Sequence, residues 1–229
     1  MTCLLLLPGM GRSESLRSDF ASALGENIKT SIVAHPPAHA PDYVQLEAYI
    51  RERLPLEEPF VLMGESFSGP LAISIAGDPP RNLCGLILSF MFAKNPHPAL
   101  VVLKPLIRWL PAVRSSKLAS LFLLGNHATP ALRQQLDAAL AQVSPNVLRA
   151  RLRAVINADV TCALQHIRVP TLYLRATRDR PVPDAASKLI AVLAPQTRIA
   201  PVEGPHMMLQ TAPTVTAKIV ANFIEENNL

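Results

Sequence analysis

The fold is decided by one stretch of sequence, FVLMGESFSGPLAISIA at residues 60–76. Residues 60–64 are apolar without the alternation of a strand that has one face in water, so they predict a strand buried on both faces. Residues 70–76 have the pattern of a helix, and a short turn centred on Ser66 and bounded by Gly64 and Gly69 joins the two. A strand, a tight turn and a helix can present a central serine as a nucleophile, and the same motif, taken alone, is also found as an ordinary turn between a strand and a helix.

Five further apolar runs extend this pattern along the chain. They lie at residues 2–7, 29–34, 83–90, 171–174 and 198–202, and turns and helical patterns follow them. Asp42 and Gln45 form a capping box that predicts a helix to about Leu54, and Pro213 is placed as a first-turn residue of the last helix. The sequence therefore predicts an α/β fold, with a mostly parallel sheet of about six strands flanked by helices.

The alternation is interrupted between residues 91 and 168, where helical patterns occur at 114–124, 129–142 and 145–156 without a strand. We predict a body of residues 1–90 and 169–229 and a helical cap of residues 91–168. The cap holds ten basic and two acidic residues, a net charge of +8, whereas the remainder has −3. Arg149, Arg151 and Arg153 are interpreted either as solvated helix positions or as a surface that attracts an anionic partner.

Composition excludes several other classes of protein. The 229 residues are 49% hydrophobic and 17% charged, which is typical of a globular domain. The three cysteines are too scattered for a disulfide framework or a zinc site. No transmembrane segment is predicted, and the first residues lack the basic region of a signal peptide, so we expect a cytoplasmic protein. Aromatic residues are only 5% and are not interleaved with the basic ones, which argues against nucleic-acid binding.

A serine nucleophile needs a base, and the base needs a carboxylate that holds it in the right tautomer. Asp179 lies in the loop RATRDRPVP at residues 175–183, after the fifth apolar run, and His206 ends the sequence EGPH after the sixth. Taken singly, Asp179 could be a turn former and His206 an exposed loop residue, and Glu203 is an alternative acid. Together the three motifs follow strands in the order Ser, Asp, His, so Ser66, Asp179 and His206 are the predicted catalytic residues.

This order of motifs resembles the α/β-hydrolase superfamily. The chain departs from it in having Ser68 where G-x-S-x-G has its second glycine, and in lacking the first two strands. The resemblance implies the strand order 2-1-3-4-5-6, with the site at the switch point of the sheet and the insertion as a cap. It also implies an oxyanion hole formed by the backbone N–H groups of Phe67 and of Met10 in LPGMG at residues 7–11.

Two alternatives involve bound groups, and neither is favoured. Gly-x-Gly at residues 9–11 is how a dinucleotide fingerprint begins, but Glu14 stands where the third glycine belongs and would repel a pyrophosphate. His35 and His39, with Asp42, have a metal-ligand spacing only on a helix, and the surrounding prolines favour a solvated loop. We expect no metal and no cofactor.

The function expected is that of a serine hydrolase that cleaves carboxylic ester or thioester bonds of small molecules through an acyl-enzyme. Apolar cap residues, among them Trp109, Leu110 and Phe122, are predicted to bind the substrate. The basic cap suggests an acyl group delivered on an acidic acyl carrier. Two alternatives stay open: a non-catalytic ligand-binding protein of the same fold, and acyl transfer or C–C bond hydrolysis by the same triad.

Overall fold

The computed structural model describes residues 2–10, 18–36, 41–109 and 116–229. Within them, six parallel strands form one sheet of order β2-β1-β3-β4-β5-β6. The strands are β1 (Thr2–Leu7), β2 (Ile28–Ile32), β3 (Phe60–Glu65), β4 (Leu83–Ser89), β5 (Thr171–Ala176) and β6 (Arg198–Val202). The predicted fold class and strand order are confirmed.

Helices cover both faces of this sheet and occupy the connection between β4 and β5. They are α1 (Ser18–Ala23), α2 (Tyr43–Arg51), α3 (Gly69–Gly77), α4 (Ser116–Leu123), α5 (Pro130–Ala141), α6 (Pro145–Asn157), α7 (Thr161–His166), α8 (Asp184–Leu193), α9 (Met208–Thr211) and α10 (Pro213–Glu226). Short 3-10 segments lie at Ser66–Ser68, Pro98–Trp109 and Gly125–His127. The capping box forms as predicted, because Asp42 accepts from the Gln45 N–H at 2.9 Å and Gln45 accepts from the Asp42 N–H at 3.2 Å.

The apolar strands are explained by burial of both faces of the sheet. Leu5 and Leu7 of β1 point into a core shared with α2, α3 and α8, whereas Leu4 and Leu6 point into a second core shared with α1 and α10. Successive side chains of a strand face opposite sides, so a strand between two helical layers needs apolar residues at every position. No described helix is long and apolar enough to cross a membrane.

The described part of residues 91–168 contains helices and an isolated bridge between Lys94 and Asp159, and no strand of the sheet. Leu124, Leu136 and Ala139 of this segment pack around Met207, next to the predicted catalytic histidine. Leu164 of α7, in contrast, belongs to the core between the sheet and α3. The helices of 116–157 thus form the part that faces the site, and the division into body and cap at 91 and 168 stays a prediction.

Candidate active site

Ser66 lies at the sharp turn between β3 and α3. Its backbone φ is +50°, in the left-handed region that side chains rarely adopt. A Cβ on Gly64 would lie 2.6 Å from the Cβ of Ala72, and one on Gly69 would collide with Met91. The turn therefore requires glycine at both positions, whereas Ser68 has an ordinary φ of −83° and is accommodated without a second glycine directly after Phe67.

The three predicted catalytic residues meet at the carboxyl ends of β3, β5 and β6. Ser66 Oγ is 2.7 Å from His206 Nε2, and His206 Nδ1 is 2.9 and 3.0 Å from the two carboxylate oxygens of Asp179. With the Nδ1 proton donated to Asp179, Nε2 accepts from the hydroxyl of Ser66. The imidazole is also enclosed, since the ring of Phe90 meets it edge to face at 5.2 Å between centroids.

The structure separates the two candidate acids. The Asp179 side chain is only 5% exposed, and its Oδ1 also accepts from the Val182 N–H at 2.8 Å. Glu203 instead forms an ion pair with Arg178 at 2.5 Å, and its side chain is 74% exposed. The geometry therefore assigns contact with His206 to Asp179 and leaves Glu203 at the surface.

The loop after β1 is held against the turn that carries Ser66. The Gly9 N–H donates to Glu65 Oε2 at 3.3 Å, and Ser68 Oγ donates to the Pro8 carbonyl. His35 Nε2 lies 3.0 Å from both the Pro8 carbonyl oxygen and Ser68 Oγ. These contacts join the two loops at the predicted switch point of the sheet.

The expectation that His35 lies in a solvated loop is wrong. Its side chain is 1% exposed, because it packs edge to face against Phe67 beneath the loop after β1. His39, its predicted neighbour, lies outside the described residues. Among the described residues, no group of three His, Cys, Asp or Glu side chains is placed to hold a metal ion.

Phe67, the residue after Ser66, is fixed by contacts on several sides. Tyr43 stacks on its ring at 5.0 Å, and the Tyr43 hydroxyl donates to the Phe67 carbonyl at 2.9 Å. Burial raises the pKa of Tyr43 well above its ordinary value, so the hydroxyl remains a donor. The backbone of Phe67 is consequently held firmly beside the nucleophile.

A cavity of about 360 Å³ opens onto Ser66 and His206. Met10 lies on its wall, and most of the remaining lining is apolar, including Phe92, Leu136, Leu148, Leu152, Val155 and Met207. Phe122, one of the three predicted substrate-binding residues, also contributes to the wall and is 54% exposed. Leu110 lies outside the described residues, and so does the side chain of Trp109.

Two residues at the site were not identified from the sequence. Gln210 of α9 lines the cavity and is 8% exposed, and neither of its amide atoms has a hydrogen-bond partner among the described residues. Arg151 of α6 is 3% exposed, so its interpretation as a solvated helix position is wrong, whereas attraction of an anionic partner by this helix stays a prediction. The signal for its burial is helical spacing, since Val147, Arg151 and Ala154 fall on the same buried face of α6.

The parallel sheet, the serine turn and the hydrogen-bonded Ser, His and Asp define the class of an α/β hydrolase. A model of the Alpha/beta hydrolase family matches residues 3–219, and the chain belongs to that family. The resemblance drawn from the sequence is thereby confirmed.

The chain is similar to one curated esterase and, in its fold, to several solved structures. A pimeloyl-[acyl-carrier protein] methyl ester esterase of Aromatoleum aromaticum is 27% identical over 221 residues, covering 86% of this chain and 87% of that protein. The enol-lactonase of Burkholderia xenovorans LB400 has a TM-score of 0.85 at 16% identity, covering 98% of this chain and 91% of that one. MenH from S. aureus has a TM-score of 0.83 at 16% identity, and the match covers 100% of this chain and 95% of MenH. The two structural likenesses concern the fold.

Proposed function

We propose that this α/β hydrolase is a serine esterase that cleaves carboxylic esters or thioesters through an acyl-enzyme. The observation that carries the proposal is the continuous contact from Ser66 Oγ to His206 Nε2 and from His206 Nδ1 to Asp179. A serine hydroxyl within 2.7 Å of an imidazole nitrogen can transfer its proton as it attacks a carbonyl carbon.

In the proposed reaction, Ser66 Oγ attacks the ester carbonyl while His206 Nε2 takes the hydroxyl proton. The tetrahedral oxyanion accepts hydrogen bonds from the backbone N–H groups of Met10 and Phe67. The C–O or C–S bond to the leaving group then breaks, and His206 protonates the departing alcohol or thiol. Water hydrolyses the acyl-Ser66 ester with His206 again as the base, which releases the acid and restores the hydroxyl.

The apolar wall of the cavity supports an acyl or alkyl group as the part of the substrate that is bound. Among the described lining residues there is no lysine or arginine, and Glu65 contributes a carboxylate to the wall. Such a lining favours an uncharged hydrocarbon chain over an anion in the cavity itself.

The test combines covalent labelling with turnover. A fluorophosphonate should add one phosphonyl group to the wild type, read by intact mass, and none to Ser66→Ala. On p-nitrophenyl esters and acyl thioesters of increasing chain length, Ser66→Ala should lower kcat by about 10⁶. Ser22→Ala, at an exposed position of α1, is the matched control and should be labelled and active like the wild type. Absence of both labelling and turnover in the wild type would support the ligand-binding alternative instead.

A narrower candidate is an ester that is presented on an acidic acyl carrier. Lys104 and Arg153 border a shallow depression together with Val101 and Val102, and Leu100, next in sequence, lines the active-site cavity. An exposed basic and apolar surface near the cavity suits an acidic carrier protein, with the acyl chain entering beside it. The printed name of the Aromatoleum aromaticum relative, which refers to a carrier-linked ester, supports the same candidate.

The carrier can be tested by charge reversal. The double variant Lys104→Glu/Arg153→Glu should lower kcat/KM about 10-fold for a methyl ester presented on an acyl carrier protein. The same methyl ester on free pantetheine should be hydrolysed at the wild-type rate. Lys218→Glu, exposed on α10, is the control. Equal effects of the double variant on the two substrates would contradict a carrier-binding surface.

A further inference from the structure

Arg151 of α6 contacts both residues that are proposed to form the oxyanion hole. Its Nη1 donates a hydrogen bond to the Met10 carbonyl, and its guanidinium carbon lies 5.7 Å from the centroid of the Phe67 ring. Met10 follows β1 and Phe67 follows β3, so two loops of the body meet one side chain from the helices opposite them.

The position of Arg151 is unusual for a cation. Arg151 is only 3% exposed, whereas Arg153, two residues later on the same helix, is exposed. A buried guanidinium is tolerated only when its N–H groups are hydrogen-bonded, so the Met10 carbonyl compensates part of the loss of solvation. The planar guanidinium also donates in fixed directions, which restricts where the carbonyl can lie.

Two hydrogen bonds to these loops come from residues of the predicted body. Glu65 holds the Gly9 N–H at 3.3 Å, and Tyr43 holds the Phe67 carbonyl at 2.9 Å. Arg151 of α6 adds a hydrogen bond to the Met10 carbonyl. The Met10 N–H lies in the peptide plane between Gly9 and Met10. The planes on either side of it are hydrogen-bonded, one through the Gly9 N–H and the other through the Met10 carbonyl, which restricts the rotation that would turn the Met10 N–H away from the oxyanion.

We propose that Arg151 is a positioning residue for the oxyanion hole, and that it couples the docking of α6 onto the body to the alignment of the Met10 and Phe67 N–H donors. The inference rests on the proposed function. It predicts that Arg151 affects the stabilisation of the transition state and has little effect on binding of the substrate in its ground state. A misplacement of about 1 Å at a reacting centre can lower the rate about 10²-fold.

The experiment compares Arg151→Met with Arg133→Met, a matched change at an exposed position of α5. On a p-nitrophenyl ester, Arg151→Met should lower kcat by about 10- to 100-fold and change KM by less than about 3-fold. The inhibition constant of a trifluoromethyl ketone, which forms a tetrahedral oxyanion adduct with the nucleophilic serine, should rise by the same factor as kcat falls. Arg133→Met should leave all three values as in the wild type.

The two proposals fail in different ways. If the wild type neither hydrolyses the ester nor is labelled by a fluorophosphonate, the proposed function and this inference are refuted together. An active wild type whose folded Arg151→Met variant keeps the wild-type kcat and inhibition constant refutes the inference alone. If Arg151 has a purely structural role, Arg151→Met lowers the thermal stability and leaves the inhibition constant unchanged. That result also refutes the inference. If Arg151→Met does not fold, Arg151→Gln, whose shorter amide cannot span the same distance, is judged by the same two values.

Discussion

The loops at the carboxyl ends of the strands differ from the wall of the cavity in how their polar side chains are hydrogen-bonded. In the loops, both ring nitrogens of His206 and both carboxylate oxygens of Asp179 have partners. On the wall, Gln210 is buried, and the described part of the chain offers neither of its amide atoms a hydrogen-bond partner; most other lining residues are apolar. The loops are thus fixed by directed hydrogen bonds, whereas the wall is shaped mainly by packing.

This difference implies that the loops govern the rate of the reaction and that the wall governs the choice of substrate. Hydrogen bonds fix atoms to within a few tenths of an ångström, which a proton transfer requires. Apolar packing defines only a volume, and it discriminates between substrates by what fits. Changes in the loops should therefore alter the rate for every ester, and changes in the wall should alter the rate for some esters and the stability of the fold.

The largest effect is expected where the hydrogen-bonded loops are altered. Asp179→Asn should lower kcat on a p-nitrophenyl ester by about 10⁴-fold, because the amide favours the wrong tautomer of His206. Glu203→Gln is the matched control and should retain wild-type kcat, since Glu203 lies in solvent against Arg178. A loss in Glu203→Gln as large as that in Asp179→Asn would reverse the assignment of the acid.

A change in the wall should select among substrates. Ala139 of α5 is 1% exposed and lines the cavity, so Ala139→Phe fills part of the space for the substrate chain. We expect kcat/KM to fall by about 10- to 100-fold for long-chain p-nitrophenyl esters and by less than about 3-fold for the acetate. Ala138→Phe, exposed on the same helix, should leave the chain-length profile unchanged. A uniform loss for all chain lengths would show that the wall also positions the loops.

Gln210→Leu tests the unsatisfied amide directly. Replacing it with an apolar side chain of similar size should raise the free energy of unfolding by about 1 to 3 kcal/mol, measured in urea, because an unpaired buried amide is destabilising. Gln135→Leu, at an exposed position of α5, should change it by no more than about 0.5 kcal/mol. A loss of stability in Gln210→Leu would mean that the amide is hydrogen-bonded in solution, for example by water.

The smallest effect is expected at Tyr43. Tyr43→Phe should lower the free energy of unfolding by about 0.5 to 1.5 kcal/mol, because the hydrogen bond to the Phe67 carbonyl is lost. The raised pKa of Tyr43 adds a dependence on pH. Above the ordinary value of 10.0 the unfolded chain loses this proton while the folded chain keeps it, so the wild type loses stability as pH rises.

The variant should show a smaller decline above that pH. Some decline remains, because burial also raises the pKa of Tyr173, which the variant retains. Unfolding in urea at pH values below and above 10.0 measures both contributions. Identical pH dependence in wild type and Tyr43→Phe would contradict the burial of the Tyr43 hydroxyl.

Much of the site could be predicted because each part of it has a local signal. Ser66, Asp179 and His206 each follow an apolar run, and parallel strands bring their carboxyl ends to one edge of the sheet. For the misjudged residues the local sequence did not decide burial, although Arg151 shares helical spacing with the apolar Val147 and Ala154. Burial of His35 depends on the loop after β1 packing over it, and burial of Arg151 depends on which face of α6 meets the body.

The sequence by itself determined the α/β class, the positions of the strands and the three residues that meet at the site. These properties follow from hydrophobic periodicity and from turn residues, which act over a few neighbouring positions. Only the tertiary structure decided the volume of the cavity, the burial of Gln210 and the contact of Arg151 with Met10. The reason is physical: these properties arise from packing between segments far apart in the chain, where the side chain of one element fills the space left by another.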